Sequence, residues 1–145
     1  MNFLADTNVV SELRKGPGAN KCVVEWFEPL ASDQVFVSVV TIGEIRKGIE
    51  GIRGRDRRTT DRLEDWLRDL MRIYADRVLP IDTVVAEEWG RMSASNPLPV
   101  LDALIAATAK VHGLVVATRN TKDIRRTGVR CVNPFESSAT SSETS

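Results

Sequence analysis

Histidine is almost missing from this chain: His112 is the only one in 145 residues. That leaves no material for a His-rich metal centre and argues against a histidine triad. Cysteine is nearly as scarce. Cys22 and Cys131 lie far apart and in no metal-ligand spacing, which suits a reduced cytoplasm. An excess of either charge is absent too, with 20 Lys and Arg against 20 Asp and Glu. A strongly basic nucleic-acid binder is therefore not indicated, although a local basic patch remains open. No run approaches the roughly 18 apolar residues of a membrane span, so no membrane association is expected. The N-terminus shows no basic region followed by an apolar stretch and a cleavage site, and no signal peptide is expected. The chain has no G-x-x-x-x-G-K-[ST], which removes a P-loop enzyme. After the first apolar run it reads "DTNVVS", without the glycines of a dinucleotide fingerprint.

What is present is an ordinary globular interior, with 42% apolar residues. The length suits one domain, taken as residues 1–136. Residues 137–145, "SSATSSETS", are low in complexity and read as a disordered polar tail. Short apolar, β-branched runs predict strands at Phe3–Ala5, Val35–Val37, Val78–Ile81, Leu114–Ala117 and Arg130–Val132. Helical patterns fall between them, over Asn8–Lys15, Lys21–Pro29, Thr41–Gly51, Thr59–Tyr74, Thr83–Ser95 and Val100–His112. The last puts Leu101, Leu104, Ile105, Thr108 and Val111 on one face and stops at Gly113, a C-cap. Strands alternating with helices predict an α/β fold, a parallel sheet with helices on both faces. Arg53, Arg55, Arg57 and Arg58 make a basic run between two of the helices, and such runs are usually solvated loops.

Four acids fall where a parallel sheet gathers its ligands. Asp6 ends the first strand, Glu44 and Asp102 open helices, and Asp123 follows the fourth strand by a few residues, with Asn120 between. Strand ends and following helix starts share the carboxyl edge, where open α/β sheets bind ligands. Each acid also has a plainer explanation. Asp6 can cap the next helix, Glu44 completes a T-x-x-E capping box with Thr41, and Asp102 favours the positive end of its helix. Caps need polarity, however, not several carboxylates on one edge. Acids gathered there would repel one another, and a divalent cation would relieve the conflict. Oxygen donors without His or Cys point to Mg²⁺ or Mn²⁺.

The blocks "FLADTNVVSEL", "VSVVTIGEIRKGI", "LDALIAATAKVHGLVVATRNTKDI" and "VNPF", in this order and spacing, resemble a PIN domain. The likeness runs from about Asn2 to Phe135 and is nearest to the VapC and FitB group of toxin–antitoxin systems. It implies a three-layer α/β/α sandwich on a short, mostly parallel sheet of about five strands. It also implies Mg²⁺- or Mn²⁺-dependent cleavage of RNA, leaving a 3′-hydroxyl and a 5′-phosphate. The implied partner is a cognate antitoxin, in a homodimer or a heterotetramer with it. By this resemblance Asp6, Glu44 and Asp102 are the catalytic and metal-binding acids. Where the pattern has a fourth acid this chain has Asn120, and Asp123 is the substitute metal ligand.

Polar neighbours complete the expected site. Asn8, Ser38, Thr118 and Asn120 could orient carboxylates or water, and Thr7 and Asn8 could equally cap the next turn. Arg46, Lys47 and Arg119 could clamp phosphate, or Lys47 could pair with Glu44 three residues away. His112 is read as a helix-end residue. A haloacid-dehalogenase-type phosphatase would want aspartate at position 8, which is Asn8, and a receiver domain would want an acidic pair where only Asp6 stands. The alternative function is a catalytically inactive PIN-fold binding or regulatory module acting with a DNA-binding partner. The intact acids argue against it.

Overall fold

A computed structural model describes residues 1–95 and 97–136; the predicted tail at 137–145 lies outside the described residues. The sheet has five strands: β1 Phe3–Ala5, β2 Val35–Ser38, β3 Val78–Leu79, β4 Val115–Ala117 and β5 Cys131–Val132. Every pairing is parallel, in the order β3-β2-β1-β4-β5. The helices are α1 Thr7–Leu13, α2 Lys21–Phe27, α3 Val39–Ile52, α4 Arg57–Ile73, α5 Thr83–Ala94, α6 Val100–His112 and α7 Thr121–Arg125. The mostly parallel α/β/α sandwich expected from sequence is thus the observed architecture. No helix among the described residues is long and apolar enough to cross a membrane.

Strand alternation builds the two outer layers. Successive side chains of β1 point to opposite faces, so Leu4 and its neighbour Ala5 enter different cores. Leu4 packs with Ile105, Ala106, Ala109, Val116 and Ile124, the α6 and α7 side. Ala5 packs with Val9, Val10, Val23, Ile45, Ile49 and Leu67, the side of α1 to α4. Strands buried on both faces must read as unbroken apolar runs, which is what made them legible.

Several predicted boundaries move, each for a local reason. α3 starts at Val39 rather than Thr41, because the Ser38 hydroxyl accepts the Val40 N–H at 3.0 Å and caps it. The T-x-x-E capping box is therefore not formed, and Glu44 sits in the second turn instead of the first. β3 stops at Leu79 because Pro80 cannot donate to a ladder. α4 starts at Arg57, inside the arginine run, since Asp56 caps it through the Thr59 N–H at 3.0 Å. α6 has no single apolar stripe. Ala103, Ile105, Ala106, Ala107, Thr108 and Ala109 are buried around it, while Leu101 is 44% exposed. Small alanines let the sheet and the neighbouring helices approach it from several sides. It ends as predicted, at Gly113 with φ +67°.

Candidate metal centre at the carboxyl edge

Register delivers the first acid. Ala5 pairs with Ala117, so the next residue of each strand, Asp6 and Thr118, stand side by side at the carboxyl edge. The Asp6 N–H donates to Ala117 O at 2.9 Å, and the Thr118 N–H donates to Val132 O at 3.0 Å. Asp6 is only 6% exposed. A carboxylate this deep needs donors. It accepts the Thr7 N–H at 2.8 Å, the Thr118 hydroxyl at 2.7 Å and a long contact from Asn8 Nδ2 at 3.5 Å. Asp6 also caps α1, the plainer of its two expected roles.

Glu44 reaches the edge from α3. Its Oε1 accepts the Thr7 hydroxyl proton. Thr7 has one such proton, so the 3.1 Å contact between the Thr7 and Thr41 hydroxyls is donated by Thr41. Asp102 comes from the first turn of α6 and Asp123 from α7. A single amide serves both: Asn120 Nδ2 donates to Asp102 Oδ2 at 3.0 Å and to Asp123 Oδ2 at 3.1 Å. The Asn120 N–H in turn donates to the Thr118 hydroxyl at 3.0 Å. Asp123 also has Arg126 at 3.7 Å, the pairing expected of a surface acid.

The acids sense one another. Burial pushes the Asp102 carboxyl above its ordinary value, and the charges of Asp6, Asp123 and Glu44 push it further; the Asn120 hydrogen bond opposes them. These four are thus one electrostatic cluster. Asp6, Glu44 and Asp102 are held by hydroxyl, amide and backbone donors rather than by lysine or arginine. Among the described residues no three such acids converge as a ready-made ion cage. The hydroxyl of Thr7 and the amide of Asn120 hold the oxygens in separate hydrogen bonds. As a donor set, four carboxylates with no nitrogen or sulfur fit a hard divalent cation.

The remaining predicted residues divide. Asn8, Thr118 and Asn120 join the network. Ser38 is fully buried and caps α3. The Arg46 guanidinium is committed to Glu50 at 3.2 Å and to Glu64. Lys47 forms no ion pair with Glu44 among the described residues. Arg119 lies on the rim, where its N–H donates to Asn8 Oδ1 at 3.1 Å. His112 ends α6, away from this edge. Sequence reasoning undervalued Thr7, whose hydroxyl links α1 to α3, and missed Phe135, which stacks on Arg119 with Cζ 3.7 Å from the ring centroid. The "VNPF" block held the only signal for it.

Comparisons with known proteins identify the family to which this fold belongs. A PIN domain model matches residues 3–129. Toxin FitB of Neisseria gonorrhoeae is 33% identical over 140 residues, spanning 92% of this chain and 98% of that protein. VapC ribonuclease Y4jK of Sinorhizobium fredii is 33% identical over 141 residues, again 92% of this chain and 98% of that one. The crystal structure of FitAcB from Neisseria gonorrhoeae superposes with a TM-score of 0.82 at 32% identity, covering 92% of this chain and 99% of that one. A toxin–antitoxin complex from Klebsiella pneumoniae superposes at 0.70 with 26% identity, covering 93% and 99%. A family model over nearly the whole fold, and relatives matched end to end, lead to one conclusion: this chain belongs to the PIN-domain family, in its VapC and FitB group.

Proposed function

We propose that this protein is the toxin of a toxin–antitoxin pair and that it is an endoribonuclease dependent on Mg²⁺ or Mn²⁺. The observation that carries the reading is the edge cluster of Asp6, Glu44, Asp102 and Asp123, three of which have no cationic side-chain partner among the described residues. The likeness to a VapC ribonuclease supplies the substrate class, RNA. The likeness to a toxin–antitoxin complex supplies the partner, an inhibitory antitoxin. We expect a homodimer that the antitoxin joins as a heterotetramer.

Asp6, Glu44 and Asp102 would hold the ion, with Asp123 contributing through water. Held there, a divalent ion would supply charge neutralisation at the phosphate and a lowered pKa for the attacking water. The protein's own residues do the positioning. Thr118 and the Thr7 N–H fix the two oxygens of Asp6, and the Thr7 hydroxyl fixes Glu44. Asn120 orients Asp102 and Asp123 together. Such pre-set dipoles cost no reorganisation at the moment of reaction. Water attacks phosphorus in line and the bond to the 3′ oxygen breaks, giving a 3′-hydroxyl and a 5′-phosphate.

The test is cleavage of single-stranded RNA by purified protein. Mg²⁺ or Mn²⁺ should support cutting and EDTA should stop it. Undiminished cutting in excess EDTA, with contaminating nuclease excluded, would refute the metal requirement. Co-expression with the neighbouring reading frame should yield a retained inhibitory partner, and sedimentation as bare monomer would count against the assembly.

A further inference from the structure

Arg119 stands between the two residues that hold the acids. Thr118 before it donates to Asp6 at 2.7 Å, and Asn120 after it donates to Asp102 at 3.0 Å. Neighbouring Cα atoms are about 3.8 Å apart, so the backbone pins Arg119 beside the cluster. Its own N–H is tied to Asn8, which also reaches Asp6. The side chain is exposed, yet it is not loose. Its guanidinium lies against the Phe135 ring, 3.7 Å from Cζ to centroid.

The ring is itself fixed. Phe135 is partly buried against the core cluster that includes Ala5, Val9 and Val10. Its N–H donates to Asn133 Oδ1 at 2.9 Å, and Pro134 before it is buried. Among the described residues the Arg119 guanidinium makes no hydrogen bond and no ion pair. Its charge reaches Glu12, but that carboxylate is already held by Lys15 at 3.1 Å and by the Asn20 N–H at 2.7 Å. Two arginines of the α3–α4 hairpin differ. Arg46 and Arg53 are bound to Glu50 and Glu64. The chain therefore stacks one guanidinium in place beside its acids and leaves the five N–H donors free. A planar fork held this way suits a two-oxygen anion and loses little freedom on binding it.

We propose that Arg119, held flat by Phe135, binds a backbone phosphodiester of the RNA strand next to the scissile bond. Phe135 is its positioning residue. The proposal rests on the nuclease reading and adds to it how a chain of zero net charge grips a polyanion: locally, through one pre-set fork. It also means that lysine cannot replace Arg119, because an ammonium neither forks nor lies flat on a ring.

The experiment measures KM and kcat separately for Mg²⁺-dependent cleavage of labelled single-stranded RNA by the full chain, over a range of salt. Arg119→Ala should raise KM about 10-fold with kcat little changed, and flatten the slope of log kcat/KM against log salt by about one. Arg119→Lys should recover little of the loss. Phe135→Ala should raise KM about 3-fold, Phe135→Trp should restore it, and Phe135→Ala should add nothing in an Arg119→Ala background. An unchanged KM and salt slope in Arg119→Ala, with the wild type cutting normally, overturns the proposal. So does a variant that cuts RNA normally but loses a protein partner. Equal harm from Phe135→Ala with and without Arg119 overturns the positioning role. Wild-type protein that cuts no RNA with Mg²⁺ removes the nuclease reading itself, a failure distinct from these.

Discussion

The α3–α4 hairpin and the carboxyl edge both concentrate acids, and they treat them in opposite ways. In the hairpin, Arg53 binds Glu50 at 2.8 Å and Glu64 at 3.4 Å, and Arg46 binds both as well. The hydrogen bond from Arg53 holds Glu50 below its ordinary pKa, and the one from Arg46 does the same for Glu64. At the edge, Asp6, Glu44 and Asp102 receive only neutral donors among the described residues, and burial with its acidic neighbours drives Asp102 upward. One sequence thus compensates acids fully in one place and leaves them uncompensated in another. The uncompensated set is the one at the carboxyl edge of the sheet, where open α/β sheets generally bind ligands. On the function proposed above, a cation from outside would complete that cluster.

The comparison is broken most severely by removing an edge charge. Asp6→Asn and Asp102→Asn should each lower kcat about 100-fold or more, in the range seen when a key electrostatic group is removed. Circular dichroism should show the fold intact. Wild-type rates in both variants would mean that the site is elsewhere. A smaller effect should follow from the Asn120 bridge. Asp123→Asn should raise the Mg²⁺ concentration for half-maximal cleavage a few-fold, and Asn120→Asp should lower it by adding a further carboxylate to the edge. A Mg²⁺ titration that Asp123→Asn leaves unchanged in midpoint and rate would reduce Asp123 to the surface partner of Arg126.

Stability should separate the two regions as well. The folded pKa of Asp102 lies above its unfolded value, so its contribution to stability is fullest below the unfolded pKa and is lost as pH rises through the folded one. At pH 7 the charged form therefore opposes folding. Asp102→Asn should raise the thermal midpoint of metal-free protein at pH 7, and the gain should fade as pH drops to about 4, the ordinary carboxylate range. A midpoint that falls at pH 7 would show that Asp102 is well compensated after all. The smallest effect belongs to the hairpin. Glu64→Gln should lower the midpoint slightly, less so in high salt, and leave kcat alone, because exposed ion pairs contribute little. A loss of activity there would tie the hairpin to the site.

Much of this was legible in the residues. The three central strands are covered on both faces and read as apolar runs, the partly buried edge strands β3 and β5 were marked by short β-branched runs, and an acid directly after the first run marked the carboxyl edge. What escaped depended on partners distant in sequence. Thr7 looked like a cap because its hydroxyl acceptor, Glu44, lies 37 residues away. Thr41 and Glu44 matched a capping box, but Ser38 captured the helix start first. Arg46 lay close to Glu44 along the chain, yet two residues along a helix face different sides, and it turned to Glu50 and Glu64. Asn120 read as a lost charge; in three dimensions its amide is the bridge between Asp102 and Asp123.

Binding of Mn²⁺, followed through the electron paramagnetic resonance signal of the free ion, compares the two regions without requiring any reaction. The wild type and Glu64→Gln should remove free Mn²⁺ to the same extent, and Asp102→Asn should remove far less. Equal uptake by all three proteins, or none by the wild type, would contradict the claim that the carboxyl edge is a divalent-cation site.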